Sequence, residues 1–210
     1  MNTGRDFVVV GSGNAAMSAA IAGREQGRSV LVIEKAGRDL AGGNTAYTAG
    51  AMRFVYDGAE DRLPRLGGPD DLRLSRTDFG AYPAERFAAD LLGFNDGRPR
   101  SREQQALIAE SDDAVRRLAS RGVKFEPIYA RQSFEKDGRH VCRGGLTLAT
   151  RGGGHGLAES GRAAFRGVPG LHACGEMVGG VFLTGHPGGS GLTSGVVFGR
   201  RAGKGAARVG

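Results

Sequence analysis

The chain has no Trp, two Cys and seven Pro in 210 residues. Cys142 and Cys174 stand alone, without the paired spacing of a metal site, and two cysteines are too few for a disulfide scaffold. They are expected to be thiols in a reducing compartment. The only long uncharged run, Met177 to Gly199, carries eight Gly and a Pro, a composition no ordinary membrane-spanning helix has. The first residues pass through Arg5 and Asp6 into a short apolar strand and do not read as a secretory signal. A cytoplasmic location without membrane insertion is the expectation. Scarce Pro and the absence of a G-X-Y period exclude collagen, and 40% hydrophobic residues exclude wholesale disorder.

What the chain has instead is glycine, 38 residues of 210, about 18% against a usual ~7%. In a globular chain this much glycine means that backbone, rather than side chains, comes close to something. The net charge of +7 is uneven, with 15 basic and 8 acidic side chains in residues 106–210. Arg is scattered singly and no basic helix with interleaved aromatics occurs, so nucleic acid is not an expected partner. An anionic small molecule and a merely solvated surface remain the two explanations of the charge.

Phe7 to Val10 is a β-branched run stopping at Gly11, Ala15 to Gln26 is helix-prone and stops at Gly27, and Ser29 to Ile33 is a second buried strand. Strand, helix and strand in some thirty residues predict a βαβ unit and an α/β fold. Residues 40–58 read as a Gly-, Thr- and Asn-rich loop, 144–156 as another Gly-rich stretch, and 60–82 as irregular. Pro83 to Leu92 and Glu103 to Arg121 have amphipathic spacing, Leu171 to Cys174 suits a short strand, and Leu192 to Val209 a closing helix.

Gly11-Ser-Gly-Asn-Ala-Ala16 matches G-x-G-x-x-A between that first strand and its helix. Gly11 makes the tight turn, Gly13 admits a pyrophosphate, and Ala16 with Ala20 lets helix and sheet pack closely. The helix N-terminus offers unpaired N–H groups and the positive end of its dipole to phosphates. Glu34 closes the second strand, where a carboxylate accepts from a ribose diol and disfavours a 2′-phosphate. A Rossmann-like dinucleotide cradle follows, with NAD and FAD undistinguished so far.

Two further groups of residues carry a likeness. Gly42-Gly-Asn-Thr-Ala-Tyr-Thr-Ala-Gly50 follows the second strand, and Pro169 to Gly180, containing Gly175-Glu176, lies near the other end. With His186-Pro-Gly-Gly-Ser-Gly-Leu-Thr193 and Phe198-Gly-Arg-Arg-Ala-Gly203, these segments resemble the fumarate reductase and succinate dehydrogenase flavoprotein family. Asp78-Phe-Gly80, Val123 to Arg139 and Gly144-Gly-Leu-Thr147 narrow the likeness to its tricarballylate-oxidising branch.

The resemblance implies FAD, an FAD-binding α/β domain, and hydride exchange between flavin N5 and a carbon of a small polycarboxylate substrate. An electron-accepting partner protein is implied with it. Gly42, Gly43, Asn44, Thr45 and Gly50 would wrap the pyrophosphate and flavin, Gly175 and Glu176 reach the ribityl chain, and Ser190, Gly191, Leu192 and Thr193 open the last helix toward the flavin ring. Together with Gly11, Ser12, Gly13, Asn14, Ala15, Ala16, Glu34 and Lys35 they form the candidate cofactor set. Some relatives attach FAD through a His where Asn44 stands, so FAD is expected to be noncovalent.

The likeness covers residues 1–160 and 168–210 as two parts of one FAD-binding domain. Relatives run to about twice this length, as a cofactor domain plus a capping domain requires. The capping domain, with its carboxylate-binding and proton-moving groups, would be missing between the two parts. His186 is the candidate catalytic residue, facing substrate. His155 is expected in a turn, His140 in a hairpin or loop, and His172 and Cys174 in the core; no metal site is expected. Three readings stay open: an FAD-dependent oxidoreductase of small polycarboxylates, a truncated inactive remnant that at most binds FAD, and a nucleotide-sensing module.

Overall fold

In the computed structural model, residues 6–34, 36–37, 39–58, 71–164 and 187–209 are described. β1 (Phe7–Val10) and β2 (Val30–Ile33) pair in parallel, Phe7 opposite Val30 and Val10 opposite Ile33. The crossover between them is α1 (Asn14–Glu25), within one residue of the expected helix. It stops where Gly27 turns to φ +77° and the Arg28 N–H closes on the Gly23 carbonyl. One face of α1, with Ala16, Met17 and Ala20, packs on Phe7, Val9 and Val30.

The other face of α1 meets α7 (Ser190–Val209), the final helix. Gly195, Gly199 and Gly203 recur every fourth residue along α7 and so lie on one stripe. A Cβ on Gly199 would overlap the Ala15 carbonyl, and one on Gly203 the Ala19 carbonyl. The two helices therefore touch backbone to backbone. Part of the glycine excess has this purely structural use.

The larger core lies on the other side of α7. α2 (Gly43–Ala46) is a single turn, followed by β3 (Ala51–Met52) within the stretch expected to be loop. A 3₁₀ turn at Leu74–Arg76 leads into β4 (Thr77–Asp78), inside the segment expected to be irregular. α3 (Ala84–Leu92) and α4 (Arg102–Ser120) fall where amphipathic spacing puts them. Ser101 and Gln104 cap α4 reciprocally, each side chain accepting from the other's backbone N–H at 3.1 Å.

β5 (Phe125–Pro127), the short α5 (Tyr129–Gln132), β6 (Ser133–Lys136), β7 (Arg139–Cys142) and β8 (Leu148–Thr150) complete two small sheets. Their orders are β3-β8-β5 and β4-β7-β6. The β6–β7 hairpin turns on Asp137 and Gly138, both at positive φ, and puts His140 in a strand. Phe54, Tyr56, Phe79, Tyr82, Phe87, Leu107 and Phe125 fill the core, joined by Val196 and Val197 of α7. Thus α7 borders both hydrophobic clusters.

One expectation is corrected here. Residues 144–156, the second Gly-rich stretch, contain β8 and the first turn of α6 (Gly153–Ala164), so His155, expected in a turn, stands in a helix. Its opening glycines let the helix start against α2, since a Cβ on Gly154 would overlap the Thr45 carbonyl. The expected Leu171–Cys174 strand lies outside the described residues. Among the described residues no helix is long and apolar enough to cross a membrane.

The backbone contact between α1 and α7 sets a test. Gly199→Ala is expected to destabilise the fold by ~1–3 kcal/mol through overpacking against a carbonyl that cannot withdraw. Gly205→Ala, where a Cβ meets nothing within 4 Å, should be neutral or add up to ~1 kcal/mol. Urea unfolding midpoints of the two variants decide it; equal midpoints would contradict the packing.

Candidate functional site

Gly11 ends β1 at φ +93°, a conformation costly for any side chain, and its N–H donates to the Ile33 carbonyl at 2.6 Å. This brings the end of β2 beside the turn. Glu34 there accepts from the Ser12 N–H at 3.0 Å and the Ser12 hydroxyl at 2.5 Å through Oε2, and from the Ala36 N–H at 3.0 Å through Oε1. The Ser12 hydroxyl, the Ala36 amide and the Gly42 amide together outweigh partial burial and hold the carboxyl down to about 2. Glu34 is thus ionised and fixed across the mouth of the G-x-G turn. These four donors take up the roughly four lone-pair sites of the carboxylate, so a ligand hydroxyl would displace one of them.

The N-terminus of α1 is where the other segments meet. Its Asn14 N–H donates to Thr45 Oγ1 at 2.9 Å, and Asn14 Nδ2 donates to the Leu192 carbonyl at 2.7 Å. A Cβ on Gly13 would stand 3.3 Å from the Gly42 carbonyl and 3.4 Å from Thr45 Oγ1, so the glycine permits this approach. Gly42 and Gly43 take φ +112° and +52° to start α2, and Gly50 takes +72° against Thr150 and Gly153. The Thr48 carbonyl accepts from the Gly154 N–H, seating the loop on α6.

α7 opens at the same place. Thr193 Oγ1 donates to the Arg53 carbonyl at 2.6 Å, and the Arg53 N–H donates to the Gly189 carbonyl at 3.3 Å. Ser190 and Ser194 are wholly buried, and their hydroxyls lack a hydrogen-bond partner among the described residues. Buried hydroxyls are ordinarily bonded. Beyond Gly11 and Gly43 a Cβ would meet nothing within 4 Å, so the backbone there faces open space. Two helix N-termini, an orphaned hydroxyl, open glycine backbone and a carboxylate suit a ligand with phosphates and a diol. The residues present fit a dinucleotide.

Gly11, Ser12, Gly13, Asn14, Glu34, Gly42, Thr45, Leu192 and Thr193 are therefore brought together. Ala15 lies against Gly195 and Gly199, and Ala16 against the sheet, so both act through packing. Gly43 and Asn44 are exposed at the start of α2, and Gly191 is half-buried in the first turn of α7. Lys35, Gly175, Glu176 and His186, with His172 and Cys174, lie outside the described residues. His155 stands in the first turn of α6 rather than in a turn between elements, edge-on to the Tyr47 ring at 6.1 Å. His140 packs on Tyr129 at 4.8 Å. No group of His, Cys, Asp and Glu able to hold a metal occurs among the described residues.

One cluster was not foreseen. Arg53 Nη1 donates to the Tyr82 hydroxyl and to Asp90 Oδ2, each at 2.7 Å, while Tyr82 donates to Asp90 at 2.6 Å. Burial first, then the Asp90 bond, raises the Tyr82 phenol well above its ordinary value. Asp90 is 37 residues from Arg53 in sequence, and no spacing rule links them. The only sign was an Arg within the apolar run Ala51-Met-Arg-Phe54.

Because the Glu34 carboxyl is lower in the fold than its ordinary 4.5, its stabilisation is complete above that pH and lost as pH falls toward about 2. Wild type should lose stability across that window, whereas Glu34→Gln starts lower at neutral pH and declines less. Urea midpoints measured from pH 7 to 2 check it; parallel curves would contradict the assignment.

A family model described as FAD binding domain matches residues 6–164. The chain is 31% identical over 145 residues to NADH:fumarate oxidoreductase of Klebsiella pneumoniae (strain 342), covering 68% of this chain and 14% of that protein. It is 28% identical over 139 residues to L-aspartate oxidase of Mycobacterium leprae (strain TN), covering 66% and 22%. Among solved structures, Mycobacterium smegmatis Sdh1 in complex with UQ1 shares the fold, with TM-score 0.50 and 18% identity over 76% of this chain and 23% of that one. The matched part thus spans less than a quarter of each of these relatives, which are longer than the twofold length expected. With the model extending over most of its residues, the chain belongs to the FAD binding domain family, that of the fumarate reductase and succinate dehydrogenase flavoproteins.

Proposed function

We propose that this chain binds FAD noncovalently in the cleft at the α1 and α7 N-termini, and that its chemical class is oxidoreduction of small polycarboxylates. The observation that carries the reading is convergence. Asn14 alone bonds to both Thr45 and Leu192, joining the three glycine-rich segments that resemble the family's cofactor loops. Glu34 would take the ribose diol, the first turn of α1 the pyrophosphate, and Ser190 to Thr193 the flavin end. Asn44 offers an amide where covalent relatives carry His, so it has no nucleophile for a bond to the cofactor.

When bound, FAD supplies two-electron chemistry, exchanging hydride with a substrate carbon. The specific reaction we favour is that of a tricarballylate dehydrogenase, tricarballylate to cis-aconitate. His186, which precedes the Pro187 turn, is the residue we assign to face the substrate. A cytoplasmic setting and an electron-accepting partner protein complete this reading.

A second reading has its own support. We take residues 1–160 and 168–210 as two parts of one FAD-binding domain from which the capping domain is missing. Val10 is 63% exposed, Leu40 65% and Tyr47 70%, all close in sequence to the cleft residues. Such apolar exposure fits a surface that the missing part would cover, and without a cover water is not excluded from the reacting atoms. The chain is then a remnant that binds FAD without turnover.

Titration of the expressed chain with FAD, followed by addition of tricarballylate, succinate or fumarate, separates the readings. Yellow, bound flavin bleached by tricarballylate supports the dehydrogenase. Bound flavin that no substrate changes supports the remnant, and a colourless folded protein that binds NAD supports the nucleotide sensor. Gly13→Val should weaken FAD by at least ~10-fold, because its side chain enters the gap between α1 and Gly42 through which the phosphates are approached. Unchanged affinity in that variant would contradict the cradle.

A further inference from the structure

One residue holds the α7 terminus in three ways. The Arg53 N–H donates to the Gly189 carbonyl at 3.3 Å, its carbonyl accepts from Thr193 Oγ1 at 2.6 Å, and its Nε donates to the Gly188 carbonyl at 2.9 Å. The outer end of the same guanidinium is itself held, by the Tyr82 hydroxyl and Asp90 at 2.7 Å each. The guanidinium carbon stands 5.4 Å from the centre of the Tyr82 ring, whose hydroxyl bonds Asp90 in turn. The Arg53 side chain is only 13% exposed, and Gly145 is needed beside it because a Cβ there would overlap Nη1.

This is more apparatus than folding demands of a short turn. A fork with one arm on the α3 carboxylate and one on the turn carbonyl fixes the turn's position relative to the core. Lysine could keep the charge but not the two directions at once. A helix terminus stabilises negative charge only over its first turn, so small displacements alter what it contributes.

We propose that Arg53, anchored by Asp90 and Tyr82, is a positioning residue for the cofactor. It fixes the first turn of α7 at the flavin end and so sets how much more tightly the cleft holds reduced than oxidised FAD. The inference rests on the FAD reading above and adds to it the means by which this chain tunes the cofactor's reduction potential.

The test uses the full chain reconstituted with FAD, with reduction potential, FAD affinity and amide hydrogen exchange measured on wild type, Arg53→Lys and Asp90→Asn. In Arg53→Lys the preference for reduced over oxidised FAD should fall roughly tenfold, about 30 mV for a two-electron couple. Exchange of the Gly191 to Thr193 amides should quicken by a similar factor. Asp90→Asn keeps the guanidinium and should move the potential in the same direction by less; it also serves if Arg53→Lys does not fold. Variants that lose thermal stability while the potential stays in place would show Arg53 to be structural only and overturn the proposal. A wild-type chain that takes up no FAD would overturn the cofactor reading, and the proposal with it. Uptake with unmoved potentials would overturn the proposal alone.

Discussion

The contact on which the rest depends is the backbone-to-backbone approach of α7 to α1. Glycines at 195, 199 and 203 remove every side chain that would hold the helices apart, so the end of the described chain lies against its beginning. That approach sets two helix N-termini side by side, with Asn14 bonded to the Leu192 carbonyl between them. Neither terminus alone would define a site of this breadth. Placed together, they offer N–H donors from two directions, with the Glu34 carboxylate beside the first of them. Since α7 also packs on the larger core through Val196 and Val197, the same helix ties the cleft to the bulk of the protein.

Electrostatics within the cleft follow from this frame. Glu34 is held ionised by the backbone and hydroxyl of the G-x-G turn, so that loop is braced by an anion fixed across its mouth. At the opposite end, Arg53 carries its positive charge within a bonded cluster with Tyr82 and Asp90. The charged groups at both places are thus held by several hydrogen bonds each.

Much of this was legible in the residues. The βαβ unit, its glycine turn and α4 were set by periodicity and by stop signals, and the structure moves their bounds by about one residue. α7 begins two residues before the expected Leu192. The convergence of Gly42–Thr45 and Ser190–Thr193 on one helix start was implied by resemblance rather than by spacing. Two things could not be read locally. The first is α6, whose opening glycines argue against a helix until Gly154 is seen to lie against the Thr45 carbonyl. The second is the Arg53 cluster, assembled from the residue just after β3, from α3 and from the loop before α3, where tertiary contact alone brings the charges together. The glycine stripe of α7 was not among the sequence readings, and its use is plain only with α1 beneath it.

The central claim is that three distant segments form one cofactor cradle, and hydrogen exchange with and without FAD tests it most directly. The account predicts that FAD slows exchange together at the amides of residues 11–16, 42–45 and 190–193, leaving those of the β6–β7 hairpin unchanged. Protection confined to the first segment, or absent from all three, would contradict it.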